Sequence, residues 1–200
     1  MSRYPAERKL QTRARIVAAA ERLIKVRGPQ GASVEAVMRE AGLTVGGFYA
    51  HFPSKEALVD EALLVGVERS LGSMVQGLEH AAPAAFARTL IDRYLEQATV
   101  DELGQACPLT LLLPDVARAD ENARQAFAAR TAQLVARVET RLPVVAGMAP
   151  RDVALALFAS LAGAVSFARA AATSRGRDRI LAATRTSLER WLGLDDPRAA

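Results

Sequence analysis

The 200-residue sequence predicts an all-α fold, with three short helices first and a larger helical body after them. Apolar residues recur three and four positions apart along most of the chain, which is the spacing of one helix face. No stretch of useful length alternates apolar and polar residues, as a half-buried strand would. Prolines, glycines and short polar residues separate the apolar segments, at the places where helices are expected to begin and end.

The first two helices have clear boundary signals. The first is predicted to run from Thr12, as its N-cap, to Arg27. The second is predicted to begin after the N-cap Ser33 and to end at Gly42, where a left-handed residue costs little. Its buried face is predicted to consist of Val34, Val37, Met38 and Ala41.

A third and a fourth helix follow within a few residues. Thr44 is predicted to cap the third helix and Pro53 to stop it, after which Ser54 caps a longer helix that reaches about His80. The buried stripe of the third helix is predicted to be Val45, Phe48 and Phe52. Two short helices joined by a glycine-containing turn form the helix-turn-helix, which lays its second helix in a DNA major groove.

The segment SVEAVMREAGLTVGGFYAHFPSKEAL at residues 33–58, with the preceding helix and the Gly28/Gly31 loop, resembles the tetracycline-repressor (TetR) family. The matching positions are Gly31, Ser33, Val37, Ala41, Gly42, Phe48, Tyr49, His51, Phe52, Lys55, Glu56 and Leu58. The resemblance covers residues up to about 60, and beyond them only the helical character matches. It implies an N-terminal three-helix DNA-binding domain at residues 1–53 and a helical ligand-binding and dimerisation domain at residues 54–200.

Charge is concentrated in the same N-terminal part. Residues 1–60 hold ten lysines and arginines against six acidic residues, a balance of +4. The whole chain also carries +4, so residues 61–200 are neutral overall. A basic module attached to a neutral body is typical of a protein that binds the phosphate backbone with one part only. A basic surface that is merely solvated is the alternative.

The candidate DNA contacts fall into three groups. Ser33 and Lys55 lie at helix N-termini, where amides and a cation favour a phosphate. For base edges the predicted residues are Thr44, Val45, Gly46, Gly47 and Ala50. An arm on the backbone or in the minor groove is predicted from Arg13 together with Arg3, Arg8, Lys9 and Arg15.

The resemblance adds Tyr49 and His51, since the family's counterparts contact the DNA backbone. Tyr49 could instead be a core aromatic residue with an internally bonded hydroxyl. His51 could instead be a local packing or capping residue.

The body is predicted to consist of further helices with proline or aspartate at their starts. Pro83, Pro108 and Pro150 suit a first helical turn, and Pro114 suits a kink or a second start. Asp120 is predicted to cap a helix that Pro143 ends. The last helix is predicted to begin after the segment SRGR at residues 174–177.

The last two helices predict a homodimer. Residues 152–172 are apolar on more than one face and rich in small side chains such as Ala156, Ser160, Gly163 and Ala164. The alternative is that both helices complete a monomer core. The family resemblance favours a two-fold interface between these helices, which would present two reading helices to a palindromic operator in double-stranded DNA.

A small-molecule effector is predicted to bind among predicted helices four to eight, and the apolar body favours a modest apolar or electrophilic compound. Cys107, the only cysteine, is a candidate sensor because it precedes Pro108 near a predicted helix N-terminus. Some TetR-like regulators sense electrophiles at a Gly-Cys-hydrophobic sequence, which Ala106-Cys107-Pro108 matches only in part. A buried small hydrophobic residue is the alternative.

Several classes of protein are not expected. No run of 18 apolar residues or secretory signal is present, and one cysteine suits a reducing cytoplasm. No catalytic, cofactor or metal-binding motif is present, so an enzyme is not expected. The sequence therefore predicts a cytoplasmic, ligand-responsive transcriptional regulator, most simply a repressor. The alternatives are an all-helical protein-interaction module and a DNA binder without an inducer.

Overall fold

The fold is helical throughout the residues that the computed structural model describes, which are 4–96, 108–118 and 121–195. The predicted all-α class is confirmed. In chain order the helices are α1 (Tyr4–Gly31), α2 (Val34–Glu40), the 3₁₀ helix η1 (Val45–Ala50), α3 (Lys55–Val75), α4 (Pro83–Glu96), α5 (Pro108–Ala117), α6 (Glu121–Val138), the 3₁₀ helix η2 (Glu139–Arg141), α7 (Pro150–Ala170) and α8 (Ser174–Trp191).

Helix α1 is longer than predicted at both ends. It begins at Tyr4, so Thr12 lies inside it and does not cap it. The Thr12 hydroxyl donates to the carbonyl of Arg8 at 2.9 Å, the bond that a threonine makes within a helix. Near the other end the chain kinks at Gly28, whose φ of 70° is in the left-handed region. The helical segment that follows this kink extends α1 to Gly31.

Two hydrophobic cores meet along α3. The N-terminal core lies among α1, α2, η1 and the first half of α3, which contributes Leu58 and Ala62. The body core lies among the second half of α3 and helices α4, α6, α7 and α8, and α3 contributes Val67 and Leu71 to it. Leu112 of α5 is fully buried in the N-terminal core. Helix α5 therefore connects the body directly to the N-terminal helices.

Two further boundaries differ from the predictions. Helix α3 ends at Val75 and not near His80, because Arg93 of α4 donates to the carbonyls of Met74 and Gln76 at 2.8 Å and satisfies the last turn. Helix α8 begins at Ser174, four residues earlier than predicted, because the Thr173 side chain accepts a hydrogen bond from an amide of the first turn.

Three of the prolines discussed for the body lie at helix starts, as the sequence predicts. Pro83, Pro108 and Pro150 begin α4, α5 and α7, as predicted. Pro114 lies inside α5, which continues through it. Asp120 and Cys107 lie outside the described residues.

Helix α7 is the one described helix whose length and composition alone would allow it to cross a membrane. The helix contains no run of 18 apolar residues, because Asp152 and Arg169 bound its apolar stretch. Half of its apolar stretch is buried inside the protein, where Leu157, Leu161 and Val165 belong to the body core. Its position is therefore that of a central core helix.

Candidate nucleic-acid interface

The turn between α2 and η1 is held by local hydrogen bonds. The Ser33 hydroxyl accepts from the amide of Ala36 at 3.1 Å and caps α2, as predicted. At the other end Gly42 has a φ of 68°, and the amide of Leu43 donates to the carbonyl of Met38 at 2.8 Å. This αL glycine closes α2 and turns the chain toward η1.

The second helix of the pair, η1, is a 3₁₀ helix and not the predicted α-helix. Its amides bond three residues back: Gly47 to the carbonyl of Thr44 at 3.1 Å and His51 to that of Phe48 at 2.9 Å. Thr44 makes no side-chain cap, which corrects its predicted role. The Gly46-Gly47 pair lowers α-helix propensity by about 1 kcal/mol per glycine, and tertiary contacts fix the tighter turn.

A pair of buried aromatic side chains supports the inner side of η1. Phe48 and Phe52 are fully buried, with ring centroids 5.8 Å apart. Val45, predicted to share this buried stripe, is 47% exposed instead. The 3₁₀ period does not account for this exposure, because it brings residues three apart onto the same side, and Val45 is the first residue of η1.

Tyr49 lies on the outer side of η1. Its side chain is 74% exposed, and its ring meets the edge of Phe48 at a centroid distance of 5.2 Å. This exposure excludes the alternative of a core tyrosine. Thr44, Gly46 and Ala50 are exposed beside it. The outer side of η1 therefore presents a hydroxyl, a phenol and small residues to a partner.

The glycine at position 46 is not required by packing within the chain. A Cβ added at Gly46 would meet no atom within 4 Å, and its φ is not positive. At Gly47 the nearest atom would be the Met38 Cε at 3.9 Å, an ordinary contact. Close approach of an external surface is a physical reason for glycine here.

Arg13 fixes η1 to the rest of the domain. Its guanidinium donates to both carboxylate oxygens of Glu61 on α3 and to the His51 carbonyl, and its Cζ lies 4.0 Å from the ring centroid of Phe52. Arg13, predicted to belong to an arm on the DNA backbone or in the minor groove, lies within α1 with its guanidinium bonded inside the domain. Arg8, Lys9 and Arg15 are also helical, and Arg15 donates to the carbonyl of Ala41 at 2.7 Å.

The two remaining predicted contacts lie at the edges of this surface. Lys55 begins α3, whose N-cap Ser54 accepts from the amide of Ala57 at 3.1 Å. His51 is the C-cap of η1 and is half-buried, which corresponds to the capping alternative. Its Nδ1 is buried and has no hydrogen-bond partner among the described residues.

The residues that hold this surface in place carry no local signal in the sequence. Glu61 is 48 positions from Arg13, and Leu112 belongs to another predicted domain. No local pattern pairs residues so far apart. One indirect signal exists: Glu61 lies three residues after the buried Leu58 on α3, so both residues face the N-terminal core.

A cavity of about 630 Å³ lies behind the interface, between α1, α3, α5 and α6. Its walls are Pro29, Gln30, Lys55, Glu56, Val59, Asp60, Leu63, Val67, Leu112, Asp115, Val116, Arg118, Asn122, Ala126, Phe127 and Arg130. It is therefore bounded by residues of both predicted domains.

A capped first helix, an αL glycine turn and an exposed second helix on an aromatic base define a helix-turn-helix protein. Residues 16–62 match the model of the bacterial regulatory proteins of the tetR family. Over 68 residues the chain is 35% identical to the HTH-type transcriptional regulator UidR of Escherichia coli K12, a segment that makes up 34% of this chain and 35% of UidR. The chain thus aligns with about a third of the length of the curated relatives it matches.

The whole fold is similar to several solved structures. A TetR transcriptional regulator from Chloroflexus aurantiacus is 23% identical, with a TM-score of 0.70 over 92% of this chain and 97% of that one. A TetR-family regulator from Agrobacterium tumefaciens is 21% identical, with a TM-score of 0.73 over 92% and 98%. At these identities the likeness concerns the fold. Together with the match of residues 16–62 to the tetR-family model, it shows a segment similar to those bacterial regulatory proteins within a TetR-like helical fold.

Proposed function

We propose that the protein is a homodimeric, DNA-binding transcriptional regulator, most simply a repressor that a small molecule releases from a palindromic operator. The observation that carries this proposal is the outer side of η1, where Tyr49 and Gly46 are exposed above the rigid Phe48–Phe52 pair. A net charge of +4 within residues 1–60 favours a polyanionic partner over the alternative of a protein-interaction module.

The contacts divide by chemistry. The proposed phosphate contacts are Ser33, Tyr49, His51 and Lys55, whose hydroxyl, imidazole and ammonium groups can bond to phosphate oxygens. Ser33 and Lys55 also lie at helix N-termini, which favour an anion. Thr44, Val45, Gly46, Gly47 and Ala50 are proposed to face base edges, through methyl contacts and close approach. Arg13 is proposed to act indirectly, by fixing the position of η1.

The glycine pair gives a sharp test of this assignment. In Gly46→Ala we expect a thermal unfolding midpoint that is unchanged or higher, because alanine favours a helix and the space is open. Affinity for duplexes selected from a random library should fall about tenfold, or roughly 1.4 kcal/mol. The measurement is a fluorescence titration of selected and random duplexes at several salt concentrations.

Gly72→Ala is the matched control, because a Cβ at Gly72 on α3 also meets nothing within 4 Å. It should leave DNA affinity unchanged. Equal affinities for both variants would refute the position of η1 on DNA. An absence of salt-dependent binding by the unsubstituted protein would refute DNA binding itself and favour the interaction module.

The dimer is proposed to form through α7 and α8. Leu155 and Phe167 of α7 are 40% and 72% exposed in the single chain, and Ala159 lies between them on the same face. On α8 the exposed residues include Ala182, Ala183, Thr186 and Ser187. Small side chains beside two large apolar ones suit close helix packing across a two-fold axis.

Phe167→Lys is expected to weaken the dimer by about 2–4 kcal/mol, since a central aromatic anchor would be replaced by a charge. Sedimentation velocity at a series of concentrations measures this. The control is Val144→Lys, which removes an apolar side chain that is 94% exposed in the segment between η2 and α7. A Phe167→Lys protein that remains as dimeric as the control would place the interface elsewhere.

Induction is proposed to act through the 54–200 body and to operate in the cytoplasm. Helix α3 supports it physically, because the same helix begins at Lys55 and contributes Leu71 to the body core. A ligand that prefers one orientation of α3 would change the spacing of the two reading helices. Whether Cys107 is a sensor stays a prediction, since it lies outside the described residues.

A further inference from the structure

The cavity behind the interface has an apolar interior and a charged rim. Its apolar walls include Val59, Leu63 and Phe127, and Leu112 reaches it from α5. At one end it touches Pro29 and Gln30, which follow the Gly28 kink of α1. A volume of about 630 Å³ is enough for a drug-sized molecule.

The acidic and basic side chains of the rim differ in their exposure to water and in their ion pairs. Among the acids, Glu56 and Asp60 are exposed to water, and Asp115 lies 3.7 Å from Arg118. Among the cations, Lys55 and Arg130 are half-buried and form no ion pair with a described carboxylate. Since half-buried charges gain more from a counter-ion than solvated ones do, these two cations favour an anionic ligand group.

Arg130 has the better geometry to hold such a group. Its Nη1 lies 3.5 Å from the Gln133 oxygen, a long contact that leaves most of its donors available. The planar guanidinium can bind a carboxylate with two parallel hydrogen bonds, which a lysine cannot do. Phe127, three residues before Arg130 on α6, supplies an apolar wall for the atoms next to that carboxylate.

We propose that this cavity binds a small amphiphilic carboxylate, with its acid on Arg130 and its apolar chain against Val59, Leu63 and Phe127. The binding site itself does not depend on the regulatory role. That such a ligand changes DNA affinity rests on the proposed function, because Lys55 lies both in the cavity wall and at the DNA-facing end of α3.

Calorimetric titration with hexanoate, octanoate and decanoate, below their aggregation concentrations, tests the site. Affinity should rise about fourfold for each added CH₂, because each one buries apolar surface. Decanol and decylammonium have the same chain without the negative charge and should bind at least tenfold more weakly than decanoate. A decylammonium affinity equal to or above that of decanoate would overturn the proposal, and so would the absence of saturable decanoate binding.

Substitutions locate the acid. Arg130→Gln is expected to lower decanoate affinity about tenfold. The control is Arg124→Gln on the same helix, where the arginine is exposed, lies outside the cavity and contacts Glu121 only at 3.9 Å. Both variants should keep the unfolding midpoint of the original chain, which the same samples report. Equal decanoate affinities of the two variants would exclude Arg130 as the anchor.

A separate titration links the site to DNA. Decanoate at saturation should lower the affinity for a selected duplex, and the duplex should lower decanoate affinity by the same factor. An unchanged duplex affinity would leave the carboxylate site without an effect on DNA and would overturn the coupling. A protein that binds decanoate in the expected series but binds no duplex would refute the proposed function while the site stands.

Discussion

Replacing Phe48 with alanine is expected to lower the free energy of unfolding by about 3–5 kcal/mol. Phe48 is fully buried, stacks near Phe52 at 5.8 Å and meets Tyr49 at 5.2 Å. Its removal would leave a cavity directly under η1. The few 3₁₀ hydrogen bonds of η1 cannot hold this helix in place by themselves. The reading helix should therefore lose its position before the body unfolds.

The measurement is chemical denaturation together with hydrogen exchange of residues 33–58, at one fixed protomer concentration because dimerisation contributes to stability. Tyr49→Ala is the control, since it removes a neighbouring ring that is 74% exposed. The control should change stability by less than about 1.5 kcal/mol, the range of one aromatic edge contact. Equal losses in the two variants would mean that Phe48 does not support η1.

Replacing Glu21 with glutamine is expected to lower the free energy of unfolding by about 3–5 kcal/mol, as much as Phe48→Ala does. Glu21 lies in α1, and its carboxylate is 2.8 Å from the Lys25 ammonium and 2.6 Å from the Arg69 guanidinium of α3. The side chains of Glu21 and Lys25 are only 3% and 5% exposed. Loss of the carboxylate charge removes this ion pair from the buried Lys25 ammonium, whereas Arg69 is 62% exposed and can be hydrated.

Two further variants make this result specific. Glu68→Gln breaks an ion pair with Arg137 in which both side chains are about half exposed, and it should cost at most about 1 kcal/mol. The double variant Glu21→Leu/Lys25→Met removes both buried charges and should recover most of the lost stability. A double variant that is less stable than Glu21→Gln would show that α1 and α3 require the ion cluster itself, and that the ammonium charge kept by Glu21→Gln is not the cause of its lost stability.

The sequence by itself determined the elements whose signals lie within a few residues of each other. Ser33 and Ser54 cap their helices as predicted, and Gly42 adopts the left-handed conformation that closes α2. Pro83 and Pro150 begin helices where a missing amide hydrogen does no harm. These features depend on bonds between a residue and its neighbours, so an isolated segment already contains the information.

Only the tertiary structure decided which side of η1 faces inward. Both an α-helical and a 3₁₀ period would place Val45 with Phe48, yet Val45 is 47% exposed and Phe48 is buried. The choice between the two periods depends on contacts with other elements, among them the Arg13 bridge from α1 to Glu61 and to the chain after η1. Glycine removes the local preference at this point, so distant contacts decide the backbone.

The same reason explains the position of α5 and the cavity beside it. Local periodicity marks Leu112 as apolar but gives no partner, and its place in the N-terminal core follows from how α5 packs on α1 and α3. In the sequence Arg130 is one arginine among many, and only the packing of α6 beside α3 makes it part of a cavity wall. Helix boundaries were encoded by neighbouring residues, whereas burial and the pairing of charges were set by segments tens of residues apart.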